Sequence, residues 1–180
     1  MTDHDEFAIG VLGLGRVGLI TAVGLAELGW QVVGAEEDPA KAQAIRQGTV
    51  PFYEDGVEGL LQDHISSGRL TIENSVAAAM DRADVLFVCV GTPEGENGAA
   101  DVSQLNEVAA TIGANLDGYK LVIEKSTSPV KTVEEIKRTI SEHAANNSGR
   151  RHGTDFDVAV NPEFLREGMA MRDFLEPTRI

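Results

Sequence analysis

Short apolar runs alternate with segments of helical periodicity along nearly the whole chain. Runs such as FAIGVL and DVLFVCV are apolar at consecutive positions, which is typical of strands buried on both faces of a parallel sheet. These runs predict strands over residues 7–12, 31–35, 70–72, 84–90, 119–124 and 156–160. Between them, apolar residues recur every three or four positions, which predicts helices over residues 16–28, 39–47, 57–67, 75–82, 102–116 and 130–145.

Residues with strong conformational preferences mark the ends of the predicted helices. Asp38 and Ser103 are candidate N-caps, Pro129 opens the last predicted helix, and Gly29 and Gly68 end two others. The alternation of strand and helix implies parallel strands joined by right-handed crossovers. We therefore predict an α/β fold, a doubly wound parallel sheet of about six strands with helices on both faces, forming one domain over residues 1–180.

Composition and charge narrow the possible partners. The net charge of −14 argues against nucleic acid, because no basic face could follow its backbone, although backbone N–H groups could still hold a phosphorylated ligand. No apolar run approaches the ~20 residues that cross a bilayer, and residues 1–6 are polar and acidic rather than a targeting signal. We therefore expect a cytoplasmic protein with no membrane partner. The single cysteine, Cys89, excludes an internal disulfide and a multi-cysteine metal site, and no metal is predicted.

A glycine-rich turn joins the first predicted strand to the first predicted helix. It has the pattern G-x-G-x-x-G and consists of Gly13, Leu14, Gly15, Arg16, Val17 and Gly18. The first glycine permits the tight turn, the second lets the backbone approach a pyrophosphate, and the third lets the helix pack closely on the strand. The N–H groups and the positive end of the helix dipole then face the anion. This context predicts a dinucleotide-binding fold of the Rossmann type.

An acidic residue at the end of the second predicted strand supports the same interpretation. Such a residue, about 20 positions beyond the glycines, hydrogen-bonds the adenosine ribose in this fold. Glu36 has this place, and Glu37 and Asp38 follow it directly. Three carboxylates would repel a 2′-phosphate, so NAD is the predicted cofactor rather than NADP. We assign the ribose contact to Glu36 rather than Glu37; the alternative is an acidic loop that only caps the next helix.

Four further blocks have characteristic sequences. VGTP, EKSTSP and NPEFLREG end the fourth, fifth and sixth predicted strands at residues 90–93, 124–129 and 161–168, and PFYE lies at 51–54. The first three fall at carboxyl ends of strands, where open α/β sheets bind ligands, although any one of them could be only a turn or a helix start. In this order, the set resembles the NAD-binding N-terminal domain of the UDP-glucose/GDP-mannose dehydrogenase family over essentially the whole chain from Phe7 on.

The resemblance implies a particular chemistry. Family members oxidise the C6 alcohol of a nucleotide sugar to a carboxylate with two NAD, through a cysteine-bound thiohemiacetal and a thioester. By resemblance, the Thr127 hydroxyl would lie near the reacting C6 oxygen or an ordered water, and Glu163 would activate the water that hydrolyses the thioester. The alternative for Glu163 is a carboxylate that only accepts backbone N–H bonds at a helix N-terminus. UDP-glucose is the commonest substrate for this motif set, and PTRI at 177–180 fits UDP-sugar members more easily than GDP-mannose members.

The resemblance also implies which residues bind the cofactor and the substrate. Glu36 and Lys41 would flank the adenosine ribose, and Glu167 would lie near the nicotinamide. The cofactor channel would be lined by Val90, Gly91, Thr92, Pro93, Ser126 and Thr127. The sugar nucleotide would be contacted by Glu163, Phe164, Leu165, Arg166 and Glu167.

The chain departs from the family in length and at a few positions. Family members are more than twice as long, and by resemblance their remaining part supplies a dimerisation helix, a sugar-nucleotide domain and the catalytic cysteine. Cys89 is no substitute, because a thiol inside a buried apolar strand has a raised pKa. Arg16 stands where the family commonly has an aromatic residue, and its side chain would either contact phosphate or point to solvent. Asp55 and Ser128 stand where the family commonly has proline and valine.

Several functions are compatible with this pattern. The first is the NAD-binding half of a UDP-glucose 6-dehydrogenase acting on a UDP-sugar, in a family whose members form homo-oligomers. The second is a stand-alone module that binds NAD without turnover. UDP-N-acetylhexosamine and GDP-mannose 6-dehydrogenases are further alternatives. A 3-hydroxyacid or glycerol-phosphate type dehydrogenase is another, but it would share the glycine turn and lack NPEFLREG.

Overall fold

A computed structural model describes residues 7–95, 98–129, 131–147 and 149–177, and of Asn147 its backbone only. The six strands of its sheet are β1 (Ala8–Leu12), β2 (Gln31–Ala35), β3 (Leu70–Glu73), β4 (Val85–Val88), β5 (Lys120–Glu124) and β6 (Phe156–Val160). The helices of the described part are α1 (Arg16–Glu27), α2 (Pro39–Arg46), α3 (Val57–Ser66), α4 (Val76–Met80), α5 (Ser103–Ala114), α6 (Thr132–Asn147) and α7 (Ala170–Leu175). The expectations about residues 1–6, and about 178–180 of PTRI, lie outside the described residues.

The sheet is parallel throughout, with the strand order β3-β2-β1-β4-β5-β6. This order confirms the predicted doubly wound α/β fold. The central strand β1 pairs with β2 on one side and β4 on the other, with Leu12 opposite both Ala35 and Val88. The chain leaves β1 in one direction and β4 in the other, so a crevice opens between the carboxyl ends of these two strands, which is where doubly wound sheets bind ligands.

Two apolar layers hold the helices against the sheet. Helices α1, α2, α3 and α7 cover one face, where Val11 packs with Leu19 and Leu61. Helices α4, α5 and α6 cover the other face, where Leu86 packs with Ile112. Each fully buried Leu, Ile or Val side chain stabilises the fold by about 1.5–3 kcal/mol relative to its exposed state. Both layers are therefore needed to fix the strand ends that form the crevice.

The ends of three predicted elements differ from the structure. The predicted strand 84–90 is shorter, because β4 ends at Val88, although the Cys89 N–H still donates to the Leu12 carbonyl at 2.8 Å. Ser103 is the first residue of α5 rather than its cap, since the Asp101 carboxylate accepts hydrogen bonds from the Ser103 N–H and hydroxyl. The helix predicted from 130 begins at Thr132, and Val130 lies outside the described residues.

The sequence analysis did not predict α7 at all. Its Phe174 packs so closely on α1 that a Cβ added at Gly24 would lie 2.3 Å from the ring. Elsewhere the predicted ends agree with the structure to within two residues, and β2, β6 and the Asp38 cap of α2 are as expected. No helix among the described residues combines the length and apolar character that crossing a membrane requires.

Candidate functional site

A cleft of about 480 Å³ opens at the carboxyl ends of β1, β2 and β4, at the predicted edge of the sheet. Of the residues predicted to bind cofactor, it is lined by Gly13, Leu14, Gly15, Glu36, Lys41, Val90 and Gly91. The predicted residues outside its lining are Arg16, Val17, Gly18, Thr92, Pro93, Ser126, Thr127 and Glu167. Sequence reasoning missed the wall contributed by α5, which consists of Gln104, Glu107, Val108 and Thr111. These α5 positions look like any amphipathic helix in the sequence and carry no distinguishing signal.

The glycine turn between β1 and α1 has the geometry that a bound anion requires. Gly13 has a φ of +90°, and its N–H donates to the Ala35 carbonyl at 3.0 Å. A Cβ at Gly18 would lie 1.8 Å from the Gly13 carbonyl oxygen, so only glycine permits this approach of helix and turn. A Cβ at Gly15 would meet nothing within 4 Å. The turn is therefore an open cradle at the helix N-terminus, and it fits a pyrophosphate.

No residue of helix α1 compensates the partial positive charge at its N-terminus. It has no side-chain cap and no acidic residue in its first turn. The first N–H groups of a helix have no partner within the helix, and the dipole there is positive. These groups can accordingly receive the negative charge of a phosphate that enters the cleft.

Glu36 lies at the other end of the cleft with its carboxylate paired. Its side chain is buried, with Oε2 2.5 Å from the Lys41 Nζ and Oε1 accepting the Asp38 N–H at 3.1 Å. The cap of α2 is Asp38, which accepts the N–H groups of Ala40 and Lys41. The acidic loop therefore does more than cap a helix: Asp38 has that role, and Glu36 lines the cleft.

Cys89 forms part of the cleft wall but cannot act as a thiolate. Burial raises the pKa of its thiol to about 12, and the nearby Lys125 ammonium opposes this shift only partly. The thiol therefore stays protonated at neutral pH, as the sequence analysis predicted for a cysteine in this position.

Hydrogen bonds join the VGTP and EKSTSP blocks at the carboxyl ends of β4 and β5. The Ser126 hydroxyl donates to the Val90 carbonyl at 2.8 Å, and the Thr92 hydroxyl donates to the Thr127 carbonyl at 2.5 Å. Thr127 itself is exposed at this edge of the sheet. The structure thus brings together two blocks that are more than thirty residues apart in the sequence.

A buried lysine connects β5 to the start of NPEFLREG, and sequence reasoning did not assign it. The Lys125 Nζ donates to the Asn161 Oδ1 at 2.9 Å, and burial lowers the pKa of Lys125, although Cys89 and Glu163 act in the opposite direction. Beside it, burial raises the pKa of Glu124, whose Oε1 is buried without a hydrogen-bond partner among the described residues. Glu124 and Lys125 are charged residues at the end of β5, where no apolar pattern in the sequence indicates burial. Only the fold shows that they are buried.

A second cavity of about 230 Å³ adjoins the NPEFLREG block. It is lined by Leu28, Lys125, Asn161, Pro162, Glu163, Phe164, Leu165, Asp173, Phe174 and Pro177. Glu163 Oε2 accepts the Leu165 N–H at 2.8 Å, so this carboxylate does accept a backbone N–H, but in a turn rather than at a helix N-terminus. Arg166, in contrast, pairs with the Asp173 carboxylate through Nε at 2.9 Å and Nη2 at 2.7 Å and lies on the surface.

The PFYE block contacts the NPEFLREG block directly through Glu54. The buried Glu54 carboxylate accepts the Gly168 N–H at 2.9 Å and the Ala170 N–H at 2.7 Å. Arg16 reaches the same place: its guanidinium lies 4.7 Å from the centre of the Phe52 ring and 3.7 Å from Glu54. The Arg16 side chain, which is 37% exposed, packs against these loops and does not line the cleft, and its phosphate contact stays a prediction.

Among the described residues, no group of three or more His, Cys, Asp and Glu side chains is arranged to hold a metal ion.

Comparison with known proteins points to one family. The model of the UDP-glucose/GDP-mannose dehydrogenase family, NAD binding domain, matches residues 7–180. A UDP-glucose 6-dehydrogenase of Pseudomonas aeruginosa is 43% identical over 170 residues, which make up 94% of this chain and 37% of the relative. A UDP-glucose dehydrogenase structure from Pyrobaculum islandicum superposes with a TM-score of 0.89 and 39% identity, covering 98% of this chain and 40% of that one. A GDP-mannose dehydrogenase structure from Pseudomonas aeruginosa has a TM-score of 0.88 and 36% identity, with coverage of 94% and 39%.

The chain thus spans well under half the length of these relatives. The match to an NAD-binding domain confirms the predicted cofactor, and it rules out the alternative of a 3-hydroxyacid or glycerol-phosphate type dehydrogenase. The resemblance read from the glycine turn and the VGTP, EKSTSP and NPEFLREG blocks is confirmed as well. The chain belongs to the UDP-glucose/GDP-mannose dehydrogenase family and corresponds to its NAD-binding domain.

Proposed function

We propose that this chain is the NAD-binding part of a nucleotide-sugar 6-dehydrogenase that converts a UDP-sugar, UDP-glucose in the first instance, to the uronate. The observation that carries the proposal is the open cradle at Gly15, which shares one cleft with the buried Glu36–Lys41 pair. Relatives that are UDP-glucose 6-dehydrogenases by name support the choice of substrate. Residues 1–180 would form a single domain of that enzyme.

On the cofactor side, the residues of this chain would bind and orient NAD. Bound NAD would supply the hydride acceptor for oxidation of the sugar carbon. The N–H groups at the start of α1 would hold the pyrophosphate, and the Glu36 carboxylate, positioned by Lys41, would accept hydrogen bonds from the adenosine ribose. Val90 lines the cleft, and the Ser126 hydroxyl, which donates to its carbonyl, would help to position the loop against the rest of the cofactor.

On the substrate side, we assign the chemistry to Thr127 and Glu163. Thr127 is exposed at the sheet edge and would orient the C6 oxygen or a water. Glu163 lines the second cavity close enough to Lys125 for their charges to interact, and as the base it would take a proton from the hydrolytic water. The segment from Phe164 to Glu167 would contact the sugar nucleotide by backbone and side chain.

A second candidate function is a module that binds NAD without turnover. The observation in its favour is the protonated, buried thiol of Cys89, the only cysteine in the sequence, which cannot form the thiohemiacetal. Purified chain, incubated with NAD and UDP-glucose, should accordingly produce no NADH. Steady NADH formation would show that the assignment of the nucleophile to another part of the enzyme is wrong.

The cofactor assignment is tested by calorimetric titration with NAD and NADP. NAD should bind more tightly, because Glu36 and Glu37 repel a 2′-phosphate. Glu36→Ala should weaken NAD binding by about tenfold, the value of one hydrogen bond to a charged group. Glu37→Ala is the matched control, since Glu37 is the exposed neighbour, and it should change the affinity far less. Tighter binding of NADP, or a larger effect at Glu37, would contradict the assignment.

The role of Glu163 is tested in a full-length enzyme that contains this domain. Glu163→Gln should allow the oxidation steps but stall hydrolysis, so that the thioester accumulates and mass spectrometry detects it on the catalytic cysteine. Unchanged turnover would show that another group activates the water.

A further inference from the structure

Three segments that are distant in the sequence meet at the side chain of Arg16. Its guanidinium stacks on the Phe52 ring at 4.7 Å, and its Nη1 lies 3.4 Å from the Tyr53 carbonyl and 3.7 Å from the Glu54 carboxylate. Its Nε lies 3.6 Å from the Glu167 carboxylate. Arg16 is also the first residue of α1 and directly follows the open cradle at Gly15.

The contacts of Arg16 continue into the backbone of the NPEFLREG block. Glu54 is almost fully buried, with a side-chain exposure of 1%, and it accepts the N–H groups of Gly168 and Ala170. A buried carboxylate is costly without compensating charge, and Arg16 is the cation that lies beside it. Arg16 therefore supports a carboxylate that in turn holds the end of the substrate-binding segment.

The arrangement differs from one in which Arg16 binds the phosphate itself. Arg16 does not line the cofactor cleft, and its carboxylate partners Glu54 and Glu167 do not line it either. A residue of the family's usual aromatic type could stack on Phe52 at this position, but it could not form ion pairs with Glu54 and Glu167. The cross-link is thus a property of this chain rather than of the glycine motif.

We propose that Arg16 is a positioning residue that couples occupancy of the glycine turn to the order of residues 167–170. The proposal rests on the proposed function, because it takes NAD as the ligand of that turn. A ligand that fixes Gly15 also fixes the Cα of Arg16, and so reduces the freedom of the guanidinium between its two carboxylates. The cofactor then stabilises the segment that is to receive the sugar nucleotide, and a well-ordered segment raises cofactor affinity by the same factor.

Hydrogen exchange at two amides tests this coupling in the 180-residue chain. The N–H groups of Gly168 and Ala170 are both held by Glu54, so their exchange rates report the order of the segment. Saturating NAD should slow their exchange by about fivefold or more in the native sequence, the lower end of typical allosteric coupling. Arg16→Ala should speed their exchange without NAD and abolish most of the slowing by NAD.

Two further variants separate coupling from a structural effect. Arg16→Tyr retains an aromatic contact with Phe52 but removes both ion pairs, so it should also lose the response to NAD. Arg82→Ala removes an arginine whose partner, Glu73 at 3.0 Å, lies away from the segment, and it should respond like the native chain. If Arg16→Ala does not fold, Arg16→Tyr decides the question alone.

The outcomes distinguish this inference from the proposed function. If calorimetry shows NAD binding but the two amides do not slow, or slow equally in Arg16→Tyr, the coupling is refuted and the proposed function stands. If calorimetry shows no NAD binding, the proposed function is refuted, and the coupling with it. Loss of slowing in both Arg16 variants, with normal slowing in Arg82→Ala, would establish Arg16 as the link.

Discussion

Replacing Gly15 by alanine separates cofactor binding from folding. Gly15 has φ −65° and ψ −168°, an extended conformation that alanine adopts freely. An added Cβ would meet no atom within 4 Å. The substitution should therefore change the free energy of unfolding by no more than about 0.5 kcal/mol. Because Gly15 lines the cleft, the new methyl group would occupy space that the structure leaves open for a phosphate.

The expected loss of affinity follows from the hydrogen bonds at this turn. A hydrogen bond to a charged group contributes about 1.5–3 kcal/mol, and a methyl group at Gly15 would prevent at least one N–H from reaching the pyrophosphate. NAD binding should accordingly weaken by about 10- to 150-fold. Calorimetry gives the dissociation constant, and urea unfolding of the same samples gives the stability.

Gly18→Ala is the matched control within the same motif. Its Cβ would lie 1.8 Å from the Gly13 carbonyl oxygen, so α1 must move away from the turn. Overpacking of this kind costs about 1–3 kcal/mol, and this variant should lose both stability and NAD affinity. Native-like NAD binding by Gly15→Ala would refute the placement of the pyrophosphate. A loss of stability in Gly15→Ala as large as that in Gly18→Ala would refute the claim that this cradle is open.

Four other substitutions test the packing and the charges of the fold. Gly24→Ala should destabilise by about 1–3 kcal/mol because its Cβ would lie 2.3 Å from Phe174, whereas Gly59→Ala in α3, with nothing within 4 Å, should stabilise by about 0.5–1 kcal/mol in urea unfolding. Burial raises the pKa of the Cys89 thiol to about 12 in the folded chain. The contribution of this thiol to the free energy of unfolding is therefore complete below its unfolded pKa and declines as the pH rises toward 12. The native chain should thus lose about 1.4 kcal/mol per pH unit more than Cys89→Ala above pH ~9, measured by urea unfolding at each pH. Glu54→Gln should cost about 1–3 kcal/mol, because one amide oxygen replaces a carboxylate that accepts two N–H groups, and an unchanged unfolding midpoint would contradict this.

The elements that could be predicted from the sequence are those set by local pattern. The bounds of β2 and β6 follow from continuous apolar runs, and the start of α2 follows from Asp38 and its proline. Helix α7 could not be predicted in this way, because it has only six residues. It is stabilised by Phe174 packing on α1, which lies near the other end of the sequence. Ser103 was predicted to cap α5 because Ser is a good cap, but Val102 has the cap position and the Asp101 carboxylate accepts the Ser103 N–H, which only the backbone conformation reveals.

The same distinction applies to the candidate site. The glycine turn and Glu36, which are predicted to bind the cofactor, lie within one strand–helix–strand unit, where spacing alone is informative. Lys125 and Asn161 are 36 residues apart, and Glu54 and Gly168 are 114 apart. No sequence periodicity relates partners so far apart, and the sequence does not show whether a charged residue is buried or exposed. These contacts had to be taken from the fold.

The pairing of Glu54 with the backbone near α7 gives a physical reason why PFYE and NPEFLREG occur together in this chain. Gly168 has a φ of +79°, which other residues adopt only with strain, and its N–H together with that of Ala170 needs a buried acceptor. Glu54 is that acceptor. Without the glutamate, the buried Ala170 N–H and the partly buried Gly168 N–H would lose their acceptor, whereas without those N–H groups the buried carboxylate would lose two donors. Each block thus stabilises the conformation of the other in this fold.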